Sequence, residues 1–354
     1  MNYMGSKERL ITPLIERAMA TLDMGGDRFL DAFAGTHAVG RHMQGLGHYE
    51  VHANDLQLYS YVVGKATLTH EYPDFAELAG EVFLTGLPRE ERLAAVIAHL
   101  NARLEFPESY PEIQKVDTWF QHKYGEGGSE GRLYFGRLNA LRIAVARHMI
   151  NSWRLSLNEY CLLLSSLIQA ADKVANVTMI YYAFLKKMKP TALKPLRLEV
   201  PRINPGLAAT VYNLEAADFV QKAAGGNALL YIDPPYNERQ YGGYYHLLET
   251  LAVWDDPPSP GKSGVRPWAN KKSGWCSKKS APGELAAILK LTDARWAMLS
   301  YSSEALMTDA QIRAVMGEHG EVHRFEHDVA RLITKEGDDN RSITEYLYAV
   351  QLRA

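Results

Sequence analysis

The chain has 354 residues, of which 47% are hydrophobic and 23% charged, and a net charge of −2; this suits one large globular domain or two modest ones. No run approaches the roughly 18 apolar residues that span a bilayer, and the first ten residues lack the apolar core of a signal peptide, so no membrane role is expected and a cytoplasmic setting is. Two distant cysteines, Cys161 and Cys276, argue against a disulfide framework or a four-cysteine zinc site, and the near-neutral charge neither advertises nucleic acid nor excludes it.

Asn2 to Leu10 open with a polar, glycine-containing turn. A helix follows, with Leu10, Leu14 and Ala18 at helical spacing and Ser6 at its N-cap. Gly5 lets the backbone approach a ligand and Lys7 offers a cation, although a simple capped helix needs neither. Phe29 to Phe33 read as a strand, and Gly35 to Gly40 as a tight turn into a helix ending near Gly45 or Gly47. Strand, glycine turn and helix open a nucleotide-binding α/β unit. About twenty residues on, a second strand over 51–55 ends in Asp55, an acid suited to ribose hydroxyls.

From Pro73 to Pro190 strand signals are scarce. Leu93, Ile97, Leu100 and Leu104 share one helix face, and Leu138, Leu141, Val145 and Met149 repeat the pattern. Ser156 and Glu159 form a capping box before an apolar helix that should be buried. This reads as a helical insertion over 73–190 in a domain made of 1–72 and 191–354. Arg132, Arg137, Arg142 and Arg147, five apart, spiral round a helix and form no single stripe.

Strand character returns at Thr210 to Asn213, and a helix starts near Glu215. Ala228 to Ile232 form a short apolar run that reads as a buried strand. It must stop at Asp233, because Pro234 and Pro235 have no N–H to donate to a ladder. A carboxylate, a stiff loop and the ring of Tyr236 then stand at a strand's C-terminal edge, where open α/β sheets place their ligands. A helix follows around 245–252. Residues 261–280 hold Lys262, Arg266, Lys271, Lys272, Lys278 and Lys279, with Trp268 and Trp275 between them and no acid. Cations and aromatics in a mobile loop suit a phosphate backbone with exposed bases; the other reading packs the tryptophans down onto the core. Strands over 295–301, 322–331 and 343–352, the last two joined by a turn at 337–340, suggest an antiparallel pair closing a mostly parallel, doubly wound sheet.

Taken together these residues resemble the D12-class, Dam-like DNA adenine-N6 methyltransferases. Asp233-Pro234-Pro235-Tyr236 is similar to the family's catalytic motif. Asn2 to Lys7 resemble its N-terminal cofactor motif, Asp31 to Gly35 its glycine turn, and Asn54-Asp55 the acid that follows. Arg239-Gln240-Tyr241, Tyr245 to Glu249, the lysine-rich loop and Leu299-Ser300-Tyr301 are similar to one bacterial subgroup. The resemblance covers nearly the whole chain. It implies a class I S-adenosylmethionine-dependent methyltransferase fold, needing no metal, that methylates the exocyclic amine of a flipped adenine. Asp233, Pro234, Pro235 and Tyr236 are the implied catalytic residues. The implied cofactor residues are Tyr3, Gly5, Lys7, Asp31, Phe33, Gly35, Asp55, Asp218, Phe219 and Asp233. Arg239, Tyr241 and the cations and tryptophans of 261–280 are the implied contacts to double-stranded DNA, with the helical insertion sharing target recognition. The resemblance also implies a bacterial or phage protein, a monomer, with a companion restriction nuclease as a partner. His37 stands where the family usually has glycine, and its imidazole either crowds the methionine end of the cofactor or points to solvent. Cytosine-N4 methylation, which usually pairs with Ser in place of Asp233, a catalytically silent DNA-binding protein, and an RNA or protein target are the alternatives.

Overall fold

Seven extended segments pair into one sheet in the computed structural model, which describes residues 7–78, 80, 84–204, 207–223, 225, 227–330 and 342–352. They are β1 (Arg28–Asp31), β2 (Glu50–Asn54), β3 (Ala209–Tyr212), β4 (Ala228–Ile232), β5 (Trp296–Ser302), β6 (Val322–Ala330) and β7 (Ser342–Gln351). Their order is β3-β2-β1-β4-β5-β7-β6. The first five pair in parallel, and β7 runs antiparallel to both β5 and β6. This is the fold expected from sequence, a mostly parallel doubly wound sheet with an antiparallel C-terminal pair. The turn expected at 337–340 lies outside the described residues.

The strand pattern follows burial. β4 and β5 are buried along their whole length, which is why both read as continuous apolar runs and not as alternating ones. β6 lies at the sheet's edge and carries His323, Arg324, Glu326, His327 and Asp328; charge on an edge strand discourages pairing with another chain. β4 stops at Ile232, one residue before the Asp233 carboxylate and its two prolines, as the missing N–H donors require.

Chain order makes β1 and β4 neighbours while β2 and β3 lie on one side and β5 on the other. The crossovers therefore change direction between β1 and β4, and the carboxyl ends of these two strands border the crevice where doubly wound sheets bind ligands. Leu30, Leu230, Ile232, Ala297 and Leu299 pack with Leu285, Ile288, Ile312 and Met316 of the helices Ala281–Leu291 and Asp309–Gly317. The N-terminal helix is irregular: a 3₁₀ turn over Glu8–Leu10, a wide turn over Ile11–Glu16, then α-helix over Arg17–Thr21. Pro13 lies inside it and cannot donate to the helical ladder. Leu10, Leu14 and Ala18 are nonetheless buried, as their spacing predicts. Ser6, the expected cap, lies outside the described residues.

Contacts divide the chain into two compact units. One holds the described residues of Gln57–Pro205 and Tyr241–Asn270, the other those of Gly5–Leu56, Gly206–Gln240 and Lys271–Ala354. The sheet belongs wholly to the second. The first is helical, with Leu58–Thr67, Arg89–Glu105, Trp119–Tyr124, Arg137–Ser152, Leu157–Val174 and His246–Val253. It thus takes in helices from before and after 73–190, because Leu58–Thr67 and His246–Val253 pack on one another and on Leu157–Val174. The Ser156 hydroxyl accepts from Glu159 N–H at 3.3 Å and the Glu159 carboxylate accepts from Ser156 N–H at 2.8 Å, which is the capping box. Leu162, Leu163, Leu164 and Leu167 behind it are fully buried, each worth roughly 1.5–3 kcal/mol. Leu138 is the exception to its predicted face and stays largely exposed, while Leu141, Val145 and Met149 are buried. No helix among the described residues is long and apolar enough to cross a membrane.

Two of the four spaced arginines turn inward. Arg147 donates to the Tyr160 hydroxyl at 2.9 Å and lies 5.3 Å from the centroid of Trp254. Arg132, only 2% exposed, donates to the carbonyls of Lys123 (3.0 Å), Ser259 (2.7 Å), Gly261 (3.0 Å) and Lys262 (3.1 Å). The hydroxyls of Tyr124 and Tyr134 hold the next two carbonyls, Gly264 at 3.1 Å and Ser263 at 2.9 Å. Residues 259–264 are therefore stapled to the helices, which corrects the expectation of a mobile loop throughout 261–280. Gly264 sits at φ 61°, and a Cβ there would lie 2.5 Å from the Arg132 guanidinium carbon, so glycine is required for the staple. Arg132→Ala strips four carbonyls of their donor, and an unmet buried acceptor costs about 1–3 kcal/mol. We expect a loss of at least about 2 kcal/mol in urea unfolding and a fall in amide-exchange protection confined first to 259–264.

Candidate active site

The carboxyl ends of β1, β2 and β4 are tied together by main-chain and amide bonds. Ala32 N–H, just past β1, donates to the carbonyl of Tyr231 in β4 at 3.0 Å. The buried Asn54 amide donates to the carbonyls of Ala32 (3.2 Å) and Leu214 (3.1 Å), and its oxygen accepts from Leu214 N–H at 3.0 Å. One side chain thus pins β1 and β2 to the segment after β3. Sequence reasoning noted Asn54 only as the neighbour of Asp55, since an asparagine at a strand end carries no signal of its own.

After β1 the chain turns through two left-handed residues, Gly35 at φ 51° and His37 at φ 59°, into the helix Ala38–Gly45. Gly35 N–H donates to the Asp55 carboxylate at 3.0 Å, so Asp55 braces the glycine turn from the end of the neighbouring strand. His37 is fully buried. Of the two placements sequence left open, the one in solvent is therefore corrected. A left-handed conformation costs a residue with a Cβ roughly 1–2 kcal/mol that glycine does not incur.

Asp233 follows β4 directly and faces Lys7 Nζ at 3.5 Å. The same ammonium lies 3.1 Å from Glu345 of β7 and 5.1 Å from the centroid of the Tyr236 ring. Lys7 is buried. Burial opposes its charge, yet Asp233, Tyr236 and Glu345 together hold its pKa above the ordinary lysine value. Burial pushes the Asp233 carboxyl up to about 6, against the pull of Lys7 and with the help of Glu345. Asp31 is pushed well above the usual carboxylate range, first by burial and then by the charge of Asp233, while the backbone amides of Phe33 and Gly40 oppose the shift. Acids with raised pKa values gathered beside a specific cation mark a working site more often than a structural one. Asp31 Oδ1 is buried and has no hydrogen-bond partner among the described residues. That open acceptor, a second carboxylate and a lysine match the amino group, sulfonium and carboxylate of S-adenosylmethionine, so the residues fit that group.

Several expected contacts lie elsewhere. Trp275 is 3% exposed and meets Phe33 edge-on at 5.5 Å, so its assignment to DNA is corrected: apolar packing wins, as the second reading of the loop had it. Phe219 is also fully buried, 5.4 Å from Tyr212. Its neighbour Asp218 is exposed in the first turn of Ala216–Lys222. Arg266 forms a two-pronged ion pair with Asp255, at 3.2 and 3.0 Å, within the helical unit. Lys271 donates to the Leu56 carbonyl at 3.0 Å. Both cations thus already hold partners inside the fold. Arg239, Lys262, Lys272, Lys278 and Lys279 are exposed. Tyr241 packs against Tyr244 and Tyr245. Half-buried Trp268 lies over Gly242, where a Cβ would sit 3.1 Å from it. Tyr3 and Gly5 lie outside the described residues. Glu345 was missed from sequence, because only strand pairing brings it here.

A family model for D12 class N6 adenine-specific DNA methyltransferases matches residues 3–315. The type II methyltransferase M.NlaIII of Neisseria lactamica is 32% identical over 364 residues, covering 99% of this chain and 99% of that protein. M.FokI of Planomicrobium okeanokoites is 31% identical, over 99% of this chain and 52% of that protein. M.CviAII of Paramecium bursaria Chlorella virus 1 is 28% identical, over 99% of this chain and 98% of that protein. The match runs through both units and the whole Asp-Pro-Pro-Tyr region, and the chain belongs to the D12 class of N6 adenine-specific DNA methyltransferases.

Proposed function

We propose that Asp233 and the main-chain carbonyl of Pro234 accept the two amino hydrogens of an adenine flipped out of DNA, and that this pair makes the amine reactive. The observation that carries this reading is a carboxylate held at the end of β4 against a buried lysine. The amine's lone pair is delocalised into the ring and is a poor nucleophile. Two acceptors on its hydrogens draw the nitrogen toward tetrahedral geometry and localise that pair. Acceptors set beforehand also stabilise the positive charge that grows on nitrogen, and the two prolines keep the loop stiff. Tyr236 stacks on the base, worth roughly 1–3 kcal/mol, against the few kcal/mol that flipping costs.

S-adenosylmethionine supplies an electrophilic methyl group on its sulfonium, and so no metal is needed. Lys7 receives the carboxylate of that cofactor, Asp31 and Gly35 line its methionine end beside Phe33, and Asp55 takes the ribose hydroxyls while bracing Gly35. Asp218 faces the adenine end. The exposed Arg239, Lys262, Lys272, Lys278 and Lys279 take phosphates of double-stranded DNA, with Trp268 and Tyr241 offering aromatic surface. The relatives named type II methyltransferases, one of them bacterial and one viral, support a place beside a companion restriction nuclease in a bacterial cytoplasm.

Asp233→Ala is expected to abolish N6-methyladenine, read by mass analysis of nucleosides from treated DNA, while S-adenosylmethionine still binds in a titration. Retained turnover would rule out the acceptor role. The acceptor must be ionised to work at full strength, so activity should fall as pH drops through the Asp233 pKa. With that pKa at about 6, the acid limb of kcat/KM should lie near pH 6, and a limb near pH 4 would contradict the assignment. Replacing Lys278 and Lys279 by alanine should flatten the slope of log K against log salt by about 0.9 for each lost phosphate contact, without changing the sequence methylated.

A further inference from the structure

β7 runs against both of its neighbours, so its early residues arrive at the edge where β4 ends. Glu345 pairs in register with Ser302 of β5 and His327 of β6. Its carboxylate, 13% exposed, is closer to the Lys7 ammonium (3.1 Å) than Asp233 is (3.5 Å). We infer that Glu345 is a positioning residue for methyl transfer: it draws Lys7 toward β7 and so leaves an Asp233 oxygen open to the target amine. This rests on the reading of Asp233 as the acceptor.

The physical argument is a competition. A buried ammonium facing a lone carboxylate closes to a charge-assisted hydrogen bond, about twice as strong as a neutral one. An adenine amino hydrogen is a neutral donor and would have to displace it. A second carboxylate closer to the same ammonium, at 3.1 Å against 3.5 Å, divides the attraction and competes with Asp233 for the nitrogen. Glu345 also acts at a distance, since its charge helps keep the Asp233 pKa raised. The other charged or titratable groups that act on Asp233 or feel its charge are Lys7, Asp31, Tyr231 and Tyr236. Glu345→Gln removes one negative charge from this group and frees Lys7 to close on Asp233. Both effects lower the Asp233 pKa, and the second blocks the acceptor.

The test compares purified wild type, Glu345→Gln, Glu345→Asp and Asp233→Ala on unmethylated genomic DNA. For Glu345→Gln we expect kcat to fall about tenfold or more. The acid limb of kcat/KM should move to lower pH, a shift that a merely structural role for Glu345 does not produce. Glu345→Asp keeps the charge and should restore most of kcat and return the limb toward its original pH. In a Lys7→Gln background the Glu345→Gln effect should vanish. Unchanged kcat and pH profile in Glu345→Gln overturn the inference, as does a loss of kcat with a fixed limb and no rescue by aspartate. If Glu345→Gln does not fold, Glu345→Ala decides: a kcat loss with a lowered limb supports the inference, and wild-type behaviour overturns it. Turnover by Asp233→Ala instead sinks the acceptor reading itself, whatever Glu345 does.

Discussion

A buried ammonium between two carboxylates is the constraint around which this site is built. A lysine taken out of water loses several kcal/mol of hydration unless opposite charge replaces it. Asp233 and Glu345 supply that charge, from a strand end and from an antiparallel neighbour two strands away. The sheet order matters for this reason. β5 separates β4 from β7, and the reversed direction of β7 lets a residue from its start meet a residue from the end of β4 at one edge. Asp31, two residues before Phe33 on β1, completes a cluster of acids whose raised pKa values follow from burial first and from one another second.

A second constraint concerns the strand ends. Ligand-facing loops are useful only if their roots do not move. Here one buried asparagine side chain, the Gly35–Asp55 bond and the Ala32–Tyr231 bond fasten the ends of β1, β2 and β4 to one another and to the segment after β3. His37 belongs to the same turn. It adopts a left-handed conformation, and its full burial shows that the surrounding packing accepts the imidazole and bears the backbone cost.

The cations are divided between structure and surface. Arg132, Arg147 and Arg266 are each absorbed by carbonyls, aromatic rings or a carboxylate. Guanidinium groups suit this because their fork satisfies several acceptors at once and stays charged when buried. The lysines at 262, 272, 278 and 279 remain exposed, as long flexible ammonium side chains do when no buried carboxylate calls them in. A basic stretch is therefore not one functional surface.

By itself the sequence determined the strands, the glycine turn, the stop after β4 and the family. Those features are local: apolar runs, missing proline donors, a capping box, and motifs whose order along the chain is itself information. It placed Lys7, Asp31, Asp55 and Asp233 in one region by resemblance. It could not find Glu345 or Asn54, because an acid or an amide inside a strand looks the same whether it faces water or a partner from another strand. It also could not tell buried Trp275 from an exposed aromatic, nor stapled Arg132 from a solvated one, since spacing along a loop does not say which side chains turn inward. Those distinctions were decided by tertiary structure, where strand direction, register and competition for buried acceptors choose each side chain's neighbours.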